Sequence, residues 1–84
     1  MKDEHKNSAA YAAGAEILHE YVKATEIYGP FSSYHEGYAI ILEELEELWD
    51  EIKKKPEERN SVRIKREAIQ TAAMCLRFIV DCTN

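Results

Sequence analysis

The sequence predicts an all-α protein: a three-helix subunit that assembles into an oligomeric helical bundle. Three observations predict it. Apolar residues recur at three–four spacing in three separate stretches. The three Gly and two Pro are few, and Gly29-Pro30 and Pro56 fall between those stretches. The last stretch is apolar nearly all round in its C-terminal half, more than two neighbouring helices of similar length can cover.

The first helix is expected from about Ser8 to Tyr28, with Ser8 as N-cap and the polar residues 1–7 frayed. Its apolar face reads Tyr11, Ala15, Leu18, Tyr21, Val22, Thr25 and Tyr28. The run from Ala9 to Ala15 favours helix. Gly14 within it either costs about 1 kcal/mol or admits a close neighbour. Gly29-Pro30 ends the helix, because Gly tolerates a left-handed C-terminal residue and Pro cannot continue the ladder.

The second helix should start at Ser33, where Ser33-Tyr34-His35-Glu36 matches a capping box. Tyr38, Ile41, Leu42, Leu45, Leu48, Trp49 and Ile52 then form one stripe centred on Leu45. Lys53, Lys54 and Lys55 close it, where cations suit the helix dipole. The third helix runs from about Ser61 to Cys82, capped by Asn60 or Ser61. Its stripe is Ile69, Ala72, Ala73, Leu76, Ile79 and Val80, with Met74, Cys75, Phe78 and Cys82 lying off it.

Size and charge narrow the function. A chain of 84 residues is one domain. It lies near the lower limit for a self-sufficient core, where disulfides, metals or oligomerisation close the gap. Cys75 and Cys82 are about 10 Å apart on one helix, too far to bridge within it. With no signal-peptide pattern, the two thiols predict a reduced, cytoplasmic protein. No run of roughly 18 apolar residues occurs, so no membrane partner is expected. The net charge of −5 disfavours nucleic acid. A second copy of the chain is the expected partner.

Six of the 16 acids fall between Glu43 and Glu51. On a helix, Glu44 and Glu47 are i, i+3 neighbours and Glu51 extends the row. Such a row either solvates a helix face or collects a cation. Glu67 on the third helix completes an acidic site if its face meets the second. His5, His19 and His35 are scattered, with no His or Cys at metal spacing. The tyrosines and Trp49 read chiefly as packing residues, and Phe31 as a staple for the first loop.

At these residues the stretch from His35 to about Asp81 resembles the MazG-like, all-α nucleoside triphosphate pyrophosphatase superfamily. That family carries Glu-Glu-x-x-Glu on one helix and Glu-x-x-Asp on the next. Here the first appears within Glu43-Glu44-Leu45-Glu46-Glu47, and the second as Glu67-Ala68-Ile69-Gln70, with Gln in place of Asp. The resemblance implies a single MazG-like helical domain over residues 1–84 that binds Mg²⁺ and hydrolyses a nucleoside triphosphate to a monophosphate and pyrophosphate. It makes Glu44, Glu47 and Glu67 metal ligands, and Glu43 a ligand or water-orienting group. Glu43 and Glu47 are then the catalytic carboxylates. From charge and approximate position, Lys54, Arg63 and Arg66 are candidate phosphate contacts, with Gln70 a further substrate contact. Gln70 also opens a rival expectation. An amide has no charge and cannot act as a base, so the alternative expectation is a catalytically inactive helical oligomer, an interaction or accessory protein.

Overall fold

In a computed structural model, which describes residues 2–84, the chain forms three helices: α1 (Lys2–Ile27), α2 (Tyr34–Ile52) and α3 (Ser61–Cys82). A 3₁₀ turn, Pro56–Glu58, joins α2 to α3. α3 is central. α1 and α2 each pack along it, without close backbone approach to one another. The result is a slab of 39 × 34 × 19 Å.

The caps follow side-chain chemistry. Ser33 Oγ accepts from the Glu36 N–H at 3.0 Å, as expected for the start of α2. The returning carboxylate reaches one residue further than a capping box requires. Glu36 accepts from the Ser32 N–H and the Ser32 hydroxyl, each at 2.9 Å. Asn60 caps α3, its Oδ1 accepting from the Val62 and Arg63 N–H groups. An N-cap side chain of this kind satisfies donors that have no partner inside the helix.

Four expectations need correction. α1 begins at Lys2, so Ser8 lies inside it rather than capping it. The polar residues ahead of Ser8 include Lys and Glu, which propagate a helix well. Gly29 is not left-handed, since no described residue has positive φ. Pro30 alone accounts for the stop, because it disfavours helical geometry in the residue before it. Nothing lies within 4 Å of the space a Gly14 side chain would occupy, so no helix approaches there. The packed faces also differ from the stripes. α1 turns Ala13, Ile17, Glu20, Tyr21 and Ala24 inward, leaving Tyr11, Leu18 and Val22 exposed.

α2 shows the larger difference. Its inward face is Gly37, Ile40, Ile41, Glu44, Leu48 and Glu51, centred on Glu44. That is one residue, or roughly 100°, from the expected centre at Leu45. Tyr38, Leu42, Leu45, Trp49 and Ile52 are consequently exposed in the single chain. On α3, Ile79 and Val80 are likewise exposed, while Ala73 and Met74 are buried. With Phe31 they form the core cluster, against which Ile17, Ala24, Ile40, Ile41, Phe78 and Cys82 pack.

The loop between α1 and α2 is stitched to the end of α3, with Phe31 buried as the staple. The Phe31 N–H donates to Asp81 Oδ2 at 3.1 Å, and Arg77 Nη2 donates to the Gly29 carbonyl at 2.9 Å. These bonds fix the start of α2 against α3, which sets the register of the acids further along.

Candidate metal centre

The rotation of α2 carries its acids to the α3 interface. Glu44 faces inward and Glu47 stands one turn on at the edge of the contact. Glu67 comes from the first half of α3, on the side that meets α2. One carboxylate oxygen from each of Glu44, Glu47 and Glu67 lies within 4.8 Å of the other two. The sequence expectation that Glu67 faces the Glu44/Glu47 edge therefore holds.

The electrostatics of this cluster are strained. Glu44 is pushed up to about 7 from 4.5, first by desolvation and then by the charges of Glu47 and Glu67. A hydrogen bond with Glu47 and the charge of Glu43 act the same way. Glu67 is also raised, by desolvation first and then by Glu47 through its charge and a hydrogen bond. The charge of Glu51 adds to this, and that of Arg66 opposes it. Carboxylates crowded like this share protons or collect a cation. Three oxygen donors at this separation suit a hard divalent ion, whose ligand bonds are about 2.1–2.5 Å long. The donor set suits a hard divalent cation in general.

The remaining candidates lie around the cluster at different distances from its chemistry. Glu43 is exposed beside Glu44 and lines the groove between α1 and α2. Lys54 is held by Glu51, its Nζ donating to both carboxylate oxygens at 3.0 and 3.1 Å. Arg66 is close enough to Glu67 to act on its charge, and it also lines a cleft between α1 and α3. Arg63 is exposed in the first turn of α3. Gln70 turns toward α1, where its Nε2 donates to Glu20 Oε2 at 3.0 Å. The Gln70 amide thus has a carboxylate partner on another helix.

Sequence reasoning passed over Arg77. It is 4% exposed, and its guanidinium carbon stands 4.2 Å from the centre of the Phe31 ring. A cation inside the most apolar part of α3, between Leu76 and Phe78, was the available signal. Asp81, which anchors Phe31, was missed for the same reason.

No protein-family model, curated protein or solved structure matches the chain. Among the described residues, no helix is long and apolar enough to cross a membrane.

Proposed function

We propose that the protein is a Mg²⁺-dependent nucleoside triphosphate pyrophosphohydrolase of the MazG-like kind, cleaving a nucleoside triphosphate to monophosphate and pyrophosphate. The convergence of Glu44, Glu47 and Glu67 from two helices carries this reading. Those three residues would hold the ion, whose chemistry is to neutralise phosphate oxygens and lower the pKa of bound water. Glu43, beside Glu44 at the groove wall, would orient the attacking water. Water adds at the α-phosphorus, the bridging bond to the β-phosphate breaks, and pyrophosphate leaves. Arg66, whose charge acts on Glu67, is the preferred candidate cation for the phosphates. Lys54 becomes available only if Glu51 releases it. The exposed stripe on α2 further supports work as a dimer or larger assembly.

A specific observation favours a second reading. Gln70 is engaged with Glu20, so the cluster has only Glu67 as its contribution from α3. A chain that kept the bundle and lost turnover, acting as an accessory protein, fits this equally simply.

Incubating the purified protein with ribo- and deoxynucleoside triphosphates plus Mg²⁺, and assaying pyrophosphate, separates the two. The enzyme reading expects release that disappears in Glu47→Gln. No release from any triphosphate, with no effect of Mg²⁺ on melting temperature, leaves the accessory reading.

A further inference from the structure

The exposed apolar side chains of α2 and α3 share one side of the molecule. The groove between α1 and α2 marks the opposite side. There α2 presents Glu36, Ile40 and Glu43, and α3 presents Gln70 and Arg77. Turning the other way round α2, about 100–160° from Glu44, brings up Tyr38, Leu42, Leu45 and Trp49. The same turn round α3 from Met74 brings up Ala68, Ala72, Cys75 and Ile79. The two helices run antiparallel, with Glu44 beside Glu67 and Cys82 Sγ donating to the Ser33 carbonyl at 3.8 Å. Their two flanks therefore adjoin in a single face. Ala68, Cys75 and Ile79 are exposed on it, and Ala72 is half-buried.

This face has relief and no charge. α2 contributes a ridge of large side chains, all exposed. Beside it α3 forms a shelf of small ones, ending at Ile79. Small side chains let a facing helix come near the short end of the usual 8–10 Å spacing. A two-fold contact brings each group near its own image. A charged face therefore opposes its own pairing, and this uncharged one does not. The groove side is the reverse case, since Glu20, Glu36, Glu43 and Glu44 outnumber Lys23 and Arg77 there.

Size points the same way. A stable dimer of standard dimensions uses about 20–30 residues from each partner, more than one stripe of one helix supplies. The α3 shelf with the rims of both helices widens the contact. α1 stands apart from it. Its exposed Leu18 and Val22 lie on the far side of α1 from Glu20, which accepts from Gln70 of α3. We propose that a second copy of the chain docks on this two-helix face, its α2 ridge lying against the first α2 ridge and over the α3 shelf, and reciprocally. The docking needs neither cation nor nucleotide, so it stands independently of the hydrolysis proposed above.

The test separates the α3 shelf from the other apolar surfaces. Ala68→Arg and Cys75→Arg place a cation on the shelf at positions exposed in the single chain, where surface substitutions leave a fold intact. Each should weaken association about tenfold or more in sedimentation equilibrium of the full chain, because a charge enters an apolar contact unpaired. Leu18→Arg, on the outer face of α1, should leave association unchanged. The wild-type chain supplies a second readout. Alkylation of Cys75, located by peptide mass spectrometry, should slow as protein concentration rises through dimerisation, since the partner covers the thiol. The docking is overturned by a wild-type chain that stays monomeric, or by a dimer indifferent to both arginines. It is equally overturned by Cys75 alkylation that does not depend on concentration, or by a dimer that Leu18→Arg dissolves. None of these outcomes reads pyrophosphate release. A dimer with these properties that releases no pyrophosphate defeats the enzymatic reading and leaves this face in place.

Discussion

Glu44 illustrates how one side chain can report the state of the whole site. Its carboxyl is raised from 4.5 to about 7, chiefly by desolvation and then by its acidic neighbours. Between those two values the folded chain binds more protons at Glu44 than the unfolded chain does. Stability must therefore fall as pH rises through that window, and stay low above about pH 7. Glu67 is shifted in the same direction and adds to the effect. A divalent cation bound to the ionised carboxylates opposes the loss. Thermal melts in EDTA should show a falling melting temperature from pH 5 to pH 8, and Mg²⁺ should flatten the curve. Glu44→Gln should reduce the fall in EDTA and weaken the response to Mg²⁺. A pH dependence untouched by both Mg²⁺ and Glu44→Gln would refute the account of the cluster.

At the scale of elements, the contact of α2 with α3 turns on Gly37. A β-carbon there would lie 2.5 Å from Phe78 Cδ2 and 3.2 Å from Phe31 Cδ2. Both rings belong to the packing that fixes the loop and the end of α3. Gly37→Ala should therefore cost about 1–3 kcal/mol, the usual range for overpacking, despite the better helix propensity of Ala. Urea titration measures it, and Phe78→Leu in the same chain should recover part of the loss. A more stable Gly37→Ala variant would show that the rings move aside freely. The same contact explains what the sequence could and could not reveal. Ser33 and Asn60 were legible as caps because capping is local chemistry. The grouping of Glu44 with Glu47 was legible because helical spacing puts them on one edge, whereas their meeting with Glu67 was legible only as a condition on how α2 and α3 pair. The orientation of α2 was not. Leu45 and Trp49 mark the most apolar direction, and hydrophobic periodicity finds that direction alone. It does not distinguish a face buried within the chain from one left outward by a glycine-centred close approach. Gly14 and Gly37 look alike in sequence, yet only Gly37 sits under an aromatic ring. Arg77 was hidden for a related reason, since its partners are a loop carbonyl and a ring brought to it by tertiary structure.

For the whole molecule, the accessible surface makes the strongest case. It is 6403 Å². A folded monomer of 9.7 kDa is expected to expose about 5,100 Å² by the usual mass scaling, leaving an excess of roughly 1,300 Å². A stable dimer of standard size covers about 800 Å² on each partner. The excess has an apolar address on α2, where Leu45 is 48% and Trp49 is 58% exposed, flanked by Tyr38, Leu42 and Ile52. Among the described residues, by contrast, the buried apolar ones are Phe31, Ala73 and Met74, a thin core for three helices. Covering the α2 stripe with the same stripe of a second copy makes an interface of the two-fold kind. It leaves the acidic cluster, one residue's rotation away, at the edge of that contact. Light scattering and sedimentation at tens of micromolar should give a dimer or a larger assembly, with a melting temperature that rises with concentration. Leu45→Lys should shift the equilibrium toward monomer and lower the melting temperature, because two copies of the charge would enter one apolar seam. Wild-type chain that stays a folded monomer at those concentrations, with a concentration-independent melt, would mean that this exposed stripe serves some other partner.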